Sequence, residues 1–333
     1  MIWKSVCCAV QGRGHAKKNI PCQDKVAKLE ENGVHVIVLA DGAGSAKFSH
    51  FGADRVVNSV AGFIVEKFFY LIAQDDGRNV TQELLNFILN QLQEEASLHN
   101  CTIKDLASTL LIAAVSEEKF FLAHLGDGVI GYLNDKGLKT VSAPDNGEFA
   151  NETFFVTSSS AAAHIRIYKG ELKTICGFVL MSDGTEQSLY NKQNKTLAPA
   201  IKRLLHRTCL VDYKILTPQL EEAFKSVVVS NTHDDCSIAL LARTSEQLPL
   251  LEKLPLQERQ KLFQTKGLFF SRKVRQKILS FDKIYALLKT PMTLRQLSKK
   301  LYLKERFVKK KLLPLLDAGI IVQKGTFFET YCK

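Results

Sequence analysis

The chain has 333 residues, 46% of them apolar and 24% charged, with a net charge of +11; that allows one large domain plus a small one, on the usual scale of roughly 100–200 residues per domain. No window approaches the roughly 18 uninterrupted apolar residues of a membrane span, and "MIWKSVCCAV" lacks the charged region, apolar core and cleavage site of a secretory signal. The eight cysteines form no C-x-x-C pair, which argues against a zinc knuckle or redox pair and leads us to expect a cytoplasmic protein with free thiols and no membrane contact.

Residues 1–243 mix short apolar runs with two helical stretches. "VHVIVLA", "TLLIAAV", "KFFLAHL", "TFFVTS", "GFVLMS" and "CSIALLA" have strand length and are mostly bounded by turn residues. "FGADRVVNSVAGFIVEKFFYLI" and "VTQELLNFILNQLQEEASLHN" carry apolar residues at helical spacing. Strands and helices that do not strictly alternate predict an α+β domain with packed sheets. Residues 244–275 read as a connector with some helix. In 276–333, Thr293 is a predicted N-cap for a helix burying Leu294, Leu297 and Leu301. A second helix buries Val308, Leu312, Leu315 and Leu316, with Gly319 as its C-terminal cap, and "IIVQKGTFFETY" reads as a hairpin turning at Lys324-Gly325. That order resembles a winged helix. The charge is concentrated here: from Leu250 onward 20 Lys and Arg face 6 Asp and Glu, whereas the preceding residues hold 25 against 28.

Three apolar runs end in Asp-Gly. The acid is Asp41 in "VIVLADGAGS", Asp127 in "FFLAHLGDGV" and Asp183 in "GFVLMSDGT". In "THDDCSIALL", Asp234 and Asp235 instead precede a strand, and "CQDKV" adds Asp24. One Asp-Gly is most simply a turn; the repetition points elsewhere. Where neighbouring strands are antiparallel, the end of one lies beside the start of the next, so Asp41, Asp183 and Asp234 are expected to meet at one sheet edge. Clustered carboxylates repel unless a cation holds them, and Mg²⁺ or Mn²⁺ takes oxygen ligands while keeping several waters. Two such ions sharing a carboxylate activate a water and clamp a phosphoryl group. A glycine after the acid leaves its carbonyl open to a metal.

Taken in order, "CQD", "VLADGAGS", "STLLIAAV…FFLAHLGDG", "LMSDGT" and "HDDCSIALL" resemble the motifs of the metal-dependent protein Ser/Thr phosphatases of type 2C. The stretches at Gly12–Asp24 ("GxxH…PCQD") and Gly147–Ser158 ("GEFANETFFVTS") are similar to a bacterial branch of that family. The resemblance spans about residues 5–242, and five ordered motifs are far more specific than one. It implies a four-layer αββα sandwich of two antiparallel sheets flanked by helices, with two Mn²⁺ or Mg²⁺ ions at one end. By that resemblance Asp41 is the bridging ligand, Gly42 a backbone-carbonyl ligand, and Asp183 and Asp234 further ligands of the first metal. Asp24 supports the second metal, and Asp127 a third, weaker one. The implied reaction is hydrolysis of phosphoserine or phosphothreonine on protein, with a cognate Ser/Thr kinase or its target as the natural substrate.

The sequence departs from the family pattern at three places. Gln23 stands where many members have Glu, and Ala43 where many eukaryotic members have a His proton donor. The phosphate-binding Arg has no match at the common spacing; Arg13, His15, Lys17 and Lys18 are the nearby candidates. These departures motivate a rival reading, a phosphatase-like scaffold or regulator whose basic tail engages DNA or a protein. The second tail helix presents Lys304, Arg306, Lys309, Lys310 and Lys311 without Asn or Gln. That composition suits contact with a nucleic-acid backbone or an acidic protein rather than base readout.

Overall fold

The computed structural model describes residues 2–144, 153–264 and 271–332. β1 (Lys4–Val10), α1 (Arg13–Lys18), β2 (Asp24–Glu31) and β3 (Val34–Asp41) come first, then the long helices α2 (Ser49–Ala73) and α3 (Gly77–His99). β4 (Leu110–Ser116), β5 (Lys119–Leu125), β6 (Val129–Asn134) and β7 (Gly137–Ser142) form a run of strands. α4 (Ala161–His164), β8 (Arg166–Glu171), β9 (Gly177–Met181) and α5 (Asp183–Leu189) follow, with a minimal hairpin of β10 (Tyr190–Asn191) and β11 (Thr196–Leu197). α6 (Ala200–Leu210), α7 (Tyr213–Ala223) and β12 (Cys236–Ala242) complete the sandwich. The tail adds α8 (Leu256–Leu262), α9 (Arg272–Leu288), β13 (Met292–Thr293), α10 (Leu294–Leu301), α11 (Glu305–Asp317), β14 (Ile321–Lys324) and β15 (Phe327–Thr330).

Two five-stranded antiparallel sheets, ordered β2-β3-β4-β5-β8 and β1-β12-β9-β6-β7, pack face to face. The period-2 alternation of a strand divides β3 between two cores. Ile37 and Leu39 point between the sheets, against Leu111, Phe178 and Leu180. Val36, Val38 and Ala40 point outward, into a layer with α2 and α3. β4, β9 and β12 are buried at every position, which is why they read as unbroken apolar runs. By length and composition α2 is apolar enough to cross a membrane, yet half of that window is buried inside the fold. All eight cysteines are free.

The second sheet is covered by α6 and α7, and the tail continues that layer: Leu205, Cys209 and Leu216 share one core with Phe263, Phe281, Leu312 and Ile320. At the seam the Asp212 amide donates to the Gly319 carbonyl (2.8 Å). Gly319 has φ +69°, and a Cβ there would stand 2.9 Å from the Val211 side chain, so both backbone and space call for glycine. The Lys4 ammonium lies 4.7 Å above the Tyr331 ring, and Arg259 pairs with Asp282 at 2.6 Å. Within the tail, Thr293 and Gln296 form a capping box at the start of α10. α11 buries Val308, Leu312 and Leu315, and the hairpin turns at Gly325 (φ +59°).

Two segments differ from the sequence reading. "TFFVTS" is not a strand: Thr153–Ser158 is a turn, held by Ser158 Oγ accepting from the Phe155 amide (3.0 Å) and by the Val156 amide donating to Ser108. These local bonds win over the segment's β-branched and aromatic composition. The connector read at 244–275 contains the start of α9, whose Val274, Ile278, Phe281, Tyr285 and Leu288 are buried at helical spacing.

Candidate metal centre

Antiparallel pairing brings the acids together. Asp24, the first residue of β2, is the register partner of Asp41, the last of β3. β12 pairs with β9 from Ile238↔Met181 onward, so Asp234 and Asp235, just before β12, lie beside Asp183, just after β9. Asp127 sits in the turn from β5 to β6 and therefore joins the two sheets. Asp41, Asp127, Asp183 and Asp234 line a cleft of about 180 Å³, together with Gly42, His15, Gln23, Thr109 and Thr153. Asp24 lies beneath it, 1% exposed. A larger cavity of about 680 Å³ lies between α6 and residues 246–262; its only acids, Glu246 and Glu258, are exposed, so it offers none of this chemistry.

The backbone is arranged to hold these positions. Thr109 grips Asp41 twice: its hydroxyl accepts from the Asp41 amide (2.9 Å) and its own amide donates to the Asp41 carbonyl (2.8 Å). Asp127 accepts a hydrogen bond from Thr153 (2.7 Å). Glycines mark where loops touch. A Cβ on Gly12 would lie 2.2 Å from the Asp234 carbonyl oxygen, and one on Gly184 2.0 Å from that of Asp235. At Gly42 a Cβ would meet Ser49, the first residue of α2, at 2.9 Å, so helix packing demands glycine there before any metal does.

The electrostatics of the cleft are set by burial and mutual repulsion of its acids. Burial pushes Asp24 up to about 7, with Asp235 adding repulsion. Burial raises Asp183 to about 7 as well, helped by Asp127, Asp234 and Asp24. Asp41 is driven well above the usual carboxylate range by burial and then by the other four acids of the cleft. Asp24 lies next to the Ser182 and Ser237 hydroxyls, yet neither of its oxygens meets a partner with hydrogen-bond geometry, nor does Asp183 Oδ1. Buried carboxylate oxygens in this state are a fitting donor set for a hard divalent cation. Among the described residues no three His, Cys, Asp or Glu side chains converge on one point as a closed ligand group; the acids ring the cleft, as mutual repulsion dictates.

Asp235 has a different task from Asp234. Buried at 1% exposure, it accepts from the Gly12 and Gln23 amides (2.6 Å each) and lies 2.9 Å from His15 Nδ1. It fastens the loop around α1 to the cleft, whereas Asp234 faces the cavity. His15 lines the cleft. Arg13 does not: its Nε donates to the Thr232 carbonyl (3.1 Å) and it is exposed, as are Lys17 and Lys18. Gln23 uses its amide nitrogen on Ser49 (2.8 Å). His124 is a core residue, fully buried and hydrogen-bonded to Ser142 (2.8 Å); burial and the Arg166 cation hold it neutral, well below the ordinary imidazole range. Most of the "GEFANETFF" stretch lies outside the described residues. The sequence reading overlooked Thr109, which is visible only once β4 is placed beside β3. It also overlooked Glu186, a buried acid one turn beyond Asp183 paired with Lys192 (3.0 Å).

Comparison with known proteins bears on the fold and the family. The chain is 26% identical over 256 residues to "Serine/threonine-protein phosphatase 3" of Escherichia coli (strain K12), a match covering 72% of this chain and 98% of that protein. Its fold is similar to a crystal structure of a bacterial serine phosphatase (17% identity, TM-score 0.52, 74% of this chain and 99% of the other). It is also similar to the serine/threonine phosphatase Stp1 from Staphylococcus aureus (16% identity, TM-score 0.51, 74% and 96%). The family described as Protein phosphatase 2C matches residues 11–225, and the chain belongs to that family of protein phosphatases.

Proposed function

We propose that this protein hydrolyses phosphoserine and phosphothreonine on protein substrates, with two Mn²⁺ or Mg²⁺ ions held by Asp41, the Gly42 carbonyl, Asp183, Asp234 and Asp24, and with Asp127 serving a third. The observation that carries the reading is the ring of mutually repelling carboxylates at one end of the sandwich, with Asp24 buried, Asp41, Asp127 and Asp183 half-buried, and some of their oxygens without a partner. When bound, such ions activate the attacking water and neutralise charge on the transferring phosphoryl oxygens. The chain's own residues do the rest. Thr109 fixes Asp41 at the strand end, and Asp235 steadies the His15 ring beside the cleft, where it is placed to contact a phosphoryl oxygen. Gln23, engaged with Ser49, contributes no charge. The substrate is a phosphoprotein, with a cognate kinase or its target as a natural choice, in the cytoplasm.

Hydrolysis of p-nitrophenyl phosphate and of a phosphothreonine peptide with Mn²⁺ tests the proposal. Asp41→Asn and Asp234→Asn should each abolish turnover; rates equal to the parent's would refute it. The scaffold reading is favoured by one feature: among the described residues no arginine lines the cleft. Calorimetry separates the two, because a scaffold with no catalytic ions shows no Mn²⁺ binding.

A further inference from the structure

The structure gives the tail's positive charge a shape. α11 buries Val308, Leu312 and Leu315, so at 3.6 residues per turn Arg306, Lys309, Lys310 and Leu313 fall on the opposite face, and all four are exposed. Tyr302, in the turn before α11, is 93% exposed. Phe307 is half exposed beneath the Arg306 guanidinium, 4.8 Å from its ring centroid. Three of the six acids from Leu250 onward are taken, Asp282 by Arg259, Glu252 by Lys289, and Glu329 by Lys324 at the hairpin tip, while Glu305 and Asp317 stand at the two ends of α11. Among the described residues, Lys299, Lys300, Lys304, Lys309 and Lys310 make no ion pair.

This surface is turned outward. The contacts that seat the tail lie at its other end, at Gly319, Tyr331 and the shared core. β1 runs from Lys4, under Tyr331, to Val10, next to Gly12 at the cleft; at about 3.3 Å per residue the basic module lies on the order of 20 Å or more from the acids. The surface is a convex helix with a hairpin beside it. A convex basic ridge is complementary to a concave anionic partner, and the major groove of a duplex, roughly 12 Å wide, admits an α-helix.

We propose that α11 and the β14–β15 hairpin bind double-stranded DNA, mainly through its phosphates and with little base selectivity, since α11 offers Lys and Arg but neither Asn nor Gln. Bound DNA leaves the cleft open at the opposite pole, so the module places the catalytic unit on DNA without occluding it. This inference stands independently of the phosphatase reading.

Fluorescence anisotropy of the full-length protein with a labelled 20-base-pair duplex, from 50 to 200 mM salt, tests it. Contact with about five phosphates weakens binding roughly 100- to 1,000-fold over that range. The double variant Lys309→Gln/Lys310→Gln should bind more weakly and reduce the log–log salt slope by about 2, with an unchanged melting temperature and unchanged p-nitrophenyl phosphate hydrolysis. Three results would overturn the proposal: no duplex binding at 50 mM salt, binding undiminished in the variant, or displacement of the duplex by polyglutamate at equal charge. The last would identify the surface as one for acidic proteins.

Discussion

Asp24 stands opposite Asp41 across the β2–β3 ladder, the first residue of one strand beside the last of the next. A single hairpin thus sets a buried carboxylate, Asp24, beside a half-buried one, Asp41, and burial lifts Asp24 from 3.8 to about 7. A carboxyl whose folded pKa exceeds its unfolded value binds more protons when folded. Stability is therefore full below 3.8 and declines as the pH rises toward about 7, at up to about 1.4 kcal/mol per pH unit. In EDTA the urea midpoint of the parent should fall between pH 5 and pH 8, and that of Asp24→Asn should fall less. Parallel declines would refute this role for Asp24.

Asp234 and Asp235 are adjacent in sequence and opposite in consequence. Asp235→Asn disturbs the clamp on the Gly12 and Gln23 amides and should destabilise the fold by roughly 1–3 kcal/mol. Asp234→Asn should leave the urea midpoint in EDTA within about 0.5 kcal/mol of the parent while reducing Mn²⁺-dependent turnover on the order of 100-fold or more. Denaturation and kinetics of the two variants together check the assignment, and a large stability loss in Asp234→Asn would contradict it.

Gly12→Ala and Gly184→Ala place a methyl group 2.2 Å and 2.0 Å from backbone oxygens of the Asp234–Asp235 loop. That loop must shift, at a cost of about 1–3 kcal/mol, and Asp234 shifts with it. Both variants should lose Mn²⁺ affinity by calorimetry as well as stability. Gly33→Ala, where nothing lies within 4 Å but φ is +75°, should lose stability alone.

The seam between sandwich and tail should melt as part of one unit. Leu312→Ala removes a side chain from the core that also contains Leu205 and Leu216 and should cost about 2–5 kcal/mol. Calorimetric melting of this variant should show a single transition at lower temperature. Two separated transitions in the parent would show that the tail folds apart from the sandwich.

The acids at the strand ends were legible because a buried strand followed by Asp-Gly is a local pattern, and antiparallel pairing converts that pattern into proximity. The α10 cap at Thr293 and the hairpin turn at Gly325 were legible for the same reason. Asp235's role was not, because its partners at residues 12, 15 and 23 lie more than 200 positions away. The reason for Gly42 was also hidden, since it depends on where α2 begins. The turn at Thr153–Ser158 misled because its aromatic, β-branched composition describes a strand, while a serine hydroxyl and the Ser108 carbonyl decide the backbone. α9 was overlooked because its apolar stripe is interrupted by six charged or amide side chains from Arg272 to Asp282 when read linearly rather than around a helix.

β1 pairs with β12 along its full length, from Lys4↔Ala242 to Val10↔Cys236. β1 is therefore synthesised long before the strand it pairs with, and the loop carrying His15 waits with it. Such a late, long-range pairing is slow to form, and because β12 also pairs with β9, Asp234 takes its place beside Asp183 only once β12 has docked. A nascent chain that has reached residue 230 contains Asp24, Asp41, Asp127 and Asp183 but not Asp234, so the ring of acids closes only when the sandwich is whole.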